Sequence, residues 1–140
     1  MEGEKKKILI VDDDSFLLDM YAFKFNQNNF DVYTALGGPQ AIQKLKEGLK
    51  PDIILMDIIM PEMDGFEMFE KINNEKLSEG STKIILSNKG QQEDIDRGVR
   101  LGAAGYIVKV NSTPVEVIDK VVKILSDKIV IKKEPEEKLE

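Results

Sequence analysis

Three short apolar runs in this chain end in charge: Ile8-Leu9-Ile10-Val11 leads into Asp12, Asp13 and Asp14, Ile53-Ile54-Leu55-Met56 into Asp57, and Tyr106-Ile107-Val108 into Lys109. A fourth run, Ile84-Ile85-Leu86, ends in the hydroxyl of Ser87. Acids, a hydroxyl and an amine are the groups that grip a divalent cation and a phosphoryl group together. Left unpaired, Asp12, Asp13 and Asp57 would repel one another and raise at least one pKa. A dication and the Lys109 ammonium balance three negative charges, and few carboxylates plus waters or phosphate oxygens suit magnesium. Asp57 is the natural nucleophile: already ionised at neutral pH, it needs no general base and can form an acyl phosphate. Phosphoryl transfer is mainly positioning and charge neutralisation, which Lys109, Ser87, the metal and the amides of Ile58 and Ile59 could supply. Taken singly, these residues have plainer readings. Asp13 or Asp14 could cap a helix, Ser87 could sit in a turn, and Lys109 could be a solvated lysine. Jointly, at four strand ends, they favour one site.

Composition narrows the chemistry further. The chain has 140 residues, no cysteine and no histidine. Thiol chemistry, imidazole metal sites and Ser-His-Asp catalysis are therefore excluded. A phosphoryl donor must come from outside, because no G-x-x-x-x-G-K-[ST] loop is present. The net charge of −6 argues against a nucleic-acid surface. No window reaches the roughly 18 apolar residues of a membrane helix, and the charged N-terminus is no secretory signal, so a cytoplasmic protein without membrane contact is expected.

Charged strand ends converge only if the strands are parallel and ordered. Strand-like runs at 8–11, 32–34, 53–56, 84–86 and 106–108 alternate with helix-like stretches at 15–28, 39–48, 64–77, 91–101 and 113–126. Five such units predict an α/β fold, a doubly wound five-stranded parallel sheet with helices on both faces and the site at the carboxyl edge. Two helix starts carry capping boxes, Asp64 with Glu67 and Thr113 with Glu116, and Met63 and Met68 could form a hydrophobic staple at the first. The stretch 91–101 is the poorest helix. It has few apolar anchors and an internal Gly98, which costs about 1 kcal/mol against alanine; an element held so weakly beside a site could move cheaply, or could equally be a plain polar surface helix. Residues 1–126 are expected to form one domain, and 127–140 a partly disordered C-terminal extension.

These stretches resemble the receiver domain of bacterial two-component response regulators, of the stand-alone type, over about residues 5–126. The resemblance is carried by Ile8-Leu9-Ile10-Val11-Asp12-Asp13-Asp14, by residues 51–65 around Leu55-Met56-Asp57 and Met60-Pro61, by Lys83-Ile84-Ile85-Leu86-Ser87, and by Gly102-Ala103-Ala104-Gly105-Tyr106-Ile107-Val108-Lys109. It implies a flavodoxin-like strand order 2-1-3-4-5. Asp57 would be the phosphoacceptor, taking its phosphoryl group from a sensor histidine kinase or phosphotransfer protein. Asp12, Asp13, Asp57 and the carbonyl of Ile59 would hold Mg2+. Ser87 and Lys109 would grip the phosphoryl group, with Ser87 and Tyr106 as the switch. The face of helix 4, strand 5 and helix 5 would change its affinity for a downstream protein target. On this reading the chain is not an enzyme; it passes a signal by phosphorelay.

Two positions depart from the family pattern. Val110 stands where proline usually follows the lysine with a cis bond, and a cis bond before valine would cost about 2.5–4 kcal/mol. Either Lys109-Val110 is trans and the lysine sits differently, or packing holds the strain. Asn88 is larger than the residue usual after the hydroxyl position and could narrow the approach to Asp57. These departures motivate an alternative, a receiver-like interaction module that works without phosphorylation. A magnesium phosphohydrolase fits less well, because Ile59 rather than an acid lies two residues after Asp57.

Overall fold

The computed structural model describes residues 4–138, with side chains through residue 127. Five βα units follow one another: β1 (Lys6–Val11), α1 (Ser15–Gln27), β2 (Phe30–Ala35), α2 (Gly38–Lys46), β3 (Ile53–Met56), α3 (Gly65–Asn74), β4 (Thr82–Ser87), α4 (Gln92–Leu101), β5 (Gly105–Val108) and α5 (Pro114–Lys138). The strands form one parallel sheet in the order β2-β1-β3-β4-β5, as the resemblance implied.

Alternation along the central strands assigns the two layers. Ile8, Ile10, Ile53, Leu55, Ile84, Leu86 and Ile107 pack with Leu18, Tyr21 and Phe25 of α1 and Val117, Ile118 and Val121 of α5. The intervening residues Leu9, Val11, Ile54, Met56 and Ile85 pack with Ala41, Ile42 and Leu45 of α2 and Phe66, Met68, Phe69 and Ile72 of α3. Strands buried on both faces read as continuous apolar runs, which is why the central strands were legible. The edge strand β2 was read too short. Its run is broken by Asp31, yet it pairs with β1 from Phe30 to Ala35, and Phe30 meets Phe25 edge-on at 5.1 Å between ring centres.

Local signals place most of the helix starts. Asp14 caps α1, accepting hydrogen bonds from the amides of Phe16 and Leu17. Asp64 and Glu67 exchange side-chain to backbone hydrogen bonds at α3, and Thr113 and Glu116 do the same at α5. α5 continues past the expected domain end at 126. The expectation of a partly disordered extension over 127–140 lies, in its side chains, outside the described residues.

The start of α3 is pressed against the strand end that carries Asp57. The Gly65 amide donates to the carbonyl of Ile58 at 2.8 Å. A Cβ built at Gly65 would stand 2.2 Å from the carbonyl oxygen of Asp57, which is rigid backbone. Gly65→Ala should therefore lower the unfolding free energy by about 2–3 kcal/mol, an overpacking cost, read by urea denaturation. A stability equal to that of the parent would show that the turn yields freely.

Candidate metal and phosphoryl site

β1 and β3 are neighbours in register, Val11 beside Met56, so the next residues of both chains leave the sheet together. The Asp57 amide donates to the carbonyl of Val11 at 3.0 Å, extending the ladder one step beyond the strands. Asp12 and Asp57 are thereby brought side by side, 3% and 7% exposed. Asp13 is exposed and adds its carboxylate from the open side; one oxygen from each of the three lies within 4.8 Å of the others.

Lys109 reaches this cluster from β5. Its Nζ donates to Asp12 Oδ2 at 2.7 Å and to Asp57 Oδ2 at 3.0 Å. The described backbone contains no cis peptide bond. Lys109-Val110 is thus trans, inside a 3-10 turn over Lys109–Asn111, and the lysine still aims into the site while Val110 faces solvent. The other oxygen of each carboxylate accepts from backbone: the Ile58 amide donates to Asp57 Oδ1 at 2.7 Å and the Asp14 amide to Asp12 Oδ1 at 2.9 Å.

The electrostatics follow from burial. Burial pushes the Asp12 carboxyl above its ordinary range, more than the Lys109 hydrogen bond and the Asp14 amide pull it back; the charge of Asp57 adds a smaller upward push. One raised carboxylate was expected from mutual repulsion, but desolvation is the main cause. Burial alone would lower the Lys109 ammonium. The hydrogen bond to Asp12 and the charges of Asp57 and Asp12 outweigh it, so Lys109 sits above the usual lysine value. All the candidate metal donors are hard oxygens around one open side, a set suited to a hydrated magnesium ion.

Residues 8–122 match the family described as the response regulator receiver domain. The chain belongs to this family. It is 38% identical over 121 residues to the chemotaxis protein CheY of Thermotoga maritima, covering 84% of this chain and 98% of that one. It is 34% identical over 104 residues to the Bacillus subtilis alkaline phosphatase synthesis transcriptional regulatory protein PhoP, covering 74% of this chain but only 42% of that relative. A CheY-like receiver domain protein from Methanospirillum hungatei superposes with a TM-score of 0.79 at 28% identity, covering 89% of this chain and 96% of the other.

Around the receiver site, Ser87 is fully buried and its Oγ accepts from the amide of Lys89 at 3.2 Å. The Tyr106 hydroxyl donates to the carbonyl of the same Lys89. Burial, then the charges of Asp94 and Asp57, push the Tyr106 phenol up to about 12. The sequence reading missed Lys89 and Asp94. Lys89 Nζ lies 3.3 Å from the carboxylate of Asp94, which is 6% exposed and accepts from the amide of Gln91 at the start of α4. The Gln91-x-x-Asp94 spacing was the available signal. α4 is also better held than its composition suggested. Gly98 lets it approach so closely that a Cβ there would meet Ile85 at 2.8 Å and Tyr106 at 3.3 Å. Arg97 lies over the Phe66 ring at 4.4 Å, and Asn73 of α3 donates to the carbonyl of Leu101. The internal glycine is a packing contact.

Lys109→Met removes the only ammonium that the described residues bring to Asp12 and Asp57. In chelator this should cost about 2–3 kcal/mol of stability, somewhat below a fully buried pair because Asp13 opens to water. Chemical denaturation checks it, with Mg2+ expected to restore part of the loss. For Tyr106, a folded pKa raised from 10 to about 12 means its proton favours the folded state. That contribution is complete below about pH 10 and lost as pH rises towards 12. Tyr106→Phe should therefore lose stability less steeply than the parent across that window, measured by denaturation at each pH.

Proposed function

We propose that this receiver is a phosphoacceptor in two-component signalling, with Asp57 as the accepting group. The observation that supports it best is the pairing of Asp57 with Lys109 and Asp12 at one open-sided corner of the sheet. The Asp57 carboxylate would attack the phosphorus of a phosphohistidine on a sensor kinase or phosphotransfer protein. The P–N bond breaks, the electron pair leaves with the imidazole, and an aspartyl phosphate forms. Lys109 would then move its hydrogen bond from the carboxylate to a phosphoryl oxygen, and the Ile58 amide stands close enough to serve another. Mg2+, held by Asp12, Asp13, Asp57 and the Ile59 carbonyl, would neutralise charge on the phosphoryl oxygens.

Ser87 links this event to the surface. Its Oγ accepts from the Lys89 amide while its O–H can donate to a phosphoryl oxygen; a shift of Oγ towards the phosphoryl group would pull on that amide, and Lys89 also anchors the Tyr106 hydroxyl. Releasing that loop would let Tyr106 turn inward and alter the face made by α4, β5 and α5, where a downstream protein would bind. Among the described residues no helix is long and apolar enough to cross a membrane, and we assign the chain a cytoplasmic role beside its kinase. A role independent of phosphorylation has less support, because one of the two departures that suggested it, Val110, leaves Lys109 in the site.

Acetyl phosphate with Mg2+ should add one phosphoryl group to the intact protein. Asp57→Asn and chelation should each abolish the gain, read by intact mass. An unchanged mass in the parent, or an equal gain in Asp57→Asn, rejects the assignment.

A further inference from the structure

Helix α1 is apolar on two opposite faces. Leu18, Tyr21 and Phe25 lie on the sheet side and are buried. On the other side Phe16 is 76% exposed and Phe23 is 61% exposed, with half-buried Met20 between them. The spacing 16, 20, 23 puts these three on one stripe, directly opposite the buried one. A helix apolar all round is normally covered on both sides, and within the described residues only the sheet side of α1 is.

The flanking charges indicate what covers the stripe. With Phe16 and Phe23 as d positions of a heptad and Met20 as a, Asp19 falls at g and Lys24 at e. In a parallel pair of helices, g of one strand meets the e position five residues on in the other. Asp19 would then face Lys24 of a second copy, and the two-fold axis repeats the contact. An antiparallel pair sets g beside g and e beside e, so Asp19 would not meet Lys24 across it. Among the described residues neither side chain makes an ion pair within its own chain. We infer that the exposed face of α1 is the seam of a parallel homodimer, with Phe16, Met20 and Phe23 packed across the two-fold axis and Asp19–Lys24 pairs on either side.

The seam has the symmetry that a closed dimer requires, the same patch on both copies. It is short. The 13 residues of α1 span about 20 Å, so the association belongs with weak, small interfaces rather than obligate ones.

Sedimentation equilibrium of the full 140-residue chain tests the inference. A monomer–dimer equilibrium is expected between about 10 and 500 µM, the range of weak association. Phe16→Ser with Phe23→Ser should leave a monomer with an unchanged circular dichroism spectrum, since both rings are exposed. Asp19→Lys alone and Lys24→Asp alone should each weaken the dimer about 5–10-fold, and the two together should restore it to within about twofold. If the doubly substituted phenylalanine chain fails to fold, the charge variants carry the test alone. Three outcomes overturn the inference. The parent could be monomeric at the top concentration, or a dimer could survive loss of both phenylalanines in a folded chain, placing the contact elsewhere. The third is a double charge swap as weak as either single one.

Discussion

One ammonium shared by two carboxylates organises this molecule. Asp12 and Asp57 end adjacent strands and are nearly buried, and Lys109 crosses from the far side of the sheet to reach both. Each Lys109 contact near 3 Å is worth about 5 kcal/mol in gross Coulomb energy at an effective dielectric of 20. Desolvation of three charged groups consumes much of this. The cluster is thus charged and tightly positioned but not strongly stabilising. That would suit the proposed role, in which these contacts are exchanged for a cation or a phosphoryl group.

The rest of the architecture serves that corner. Two apolar layers fix the strands in register, so Asp12 and Asp57 emerge side by side, while Lys109, two residues further along β5, reaches back to them. Gly65 brings the start of α3 against the Asp57 backbone with no room for a side chain. Hydrogen bonds from the Ile58 and Asp14 amides hold the two carboxylates in fixed rotamers. Positioning of this kind is what phosphoryl transfer asks of a protein, since the bond changes need little covalent help.

Outward from the site, the coupling is polar. Lys89 takes part through three groups: its amide meets Ser87, its carbonyl meets Tyr106 and its ammonium meets Asp94. Asp94 in turn sits at the start of α4. A change at Ser87 therefore has a short bonded route to a helix whose other anchors are a glycine contact, a cation over a ring and one amide. Few of these contacts are apolar, which keeps the cost of shifting α4 low without leaving the helix loose.

The amino-acid sequence by itself determined the βα alternation, the central strands, two capping boxes and the identities of Asp12, Asp13, Asp57, Ser87 and Lys109 as strand-end groups. These signals are local: apolar runs of strand length, residues at fixed offsets from a helix start, charge at the end of a run. The edge strand β2 was read short because half-exposed strands do not form continuous apolar runs. Only the tertiary structure decided the aim of Lys109. A valine after it left two arrangements open, and the 3-10 turn over Lys109–Asn111 resolved them by directing Nζ between two carboxylates 52 and 97 residues away. Beyond the capping spacing of Gln91 and Asp94, the Lys89 junction and the role of Gly98 were likewise illegible, because each depends on which element lies within a few ångströms. Spacing along a chain reports the period of an element, whereas a shared proton or a missing Cβ acquires meaning only from the neighbour that folding supplies.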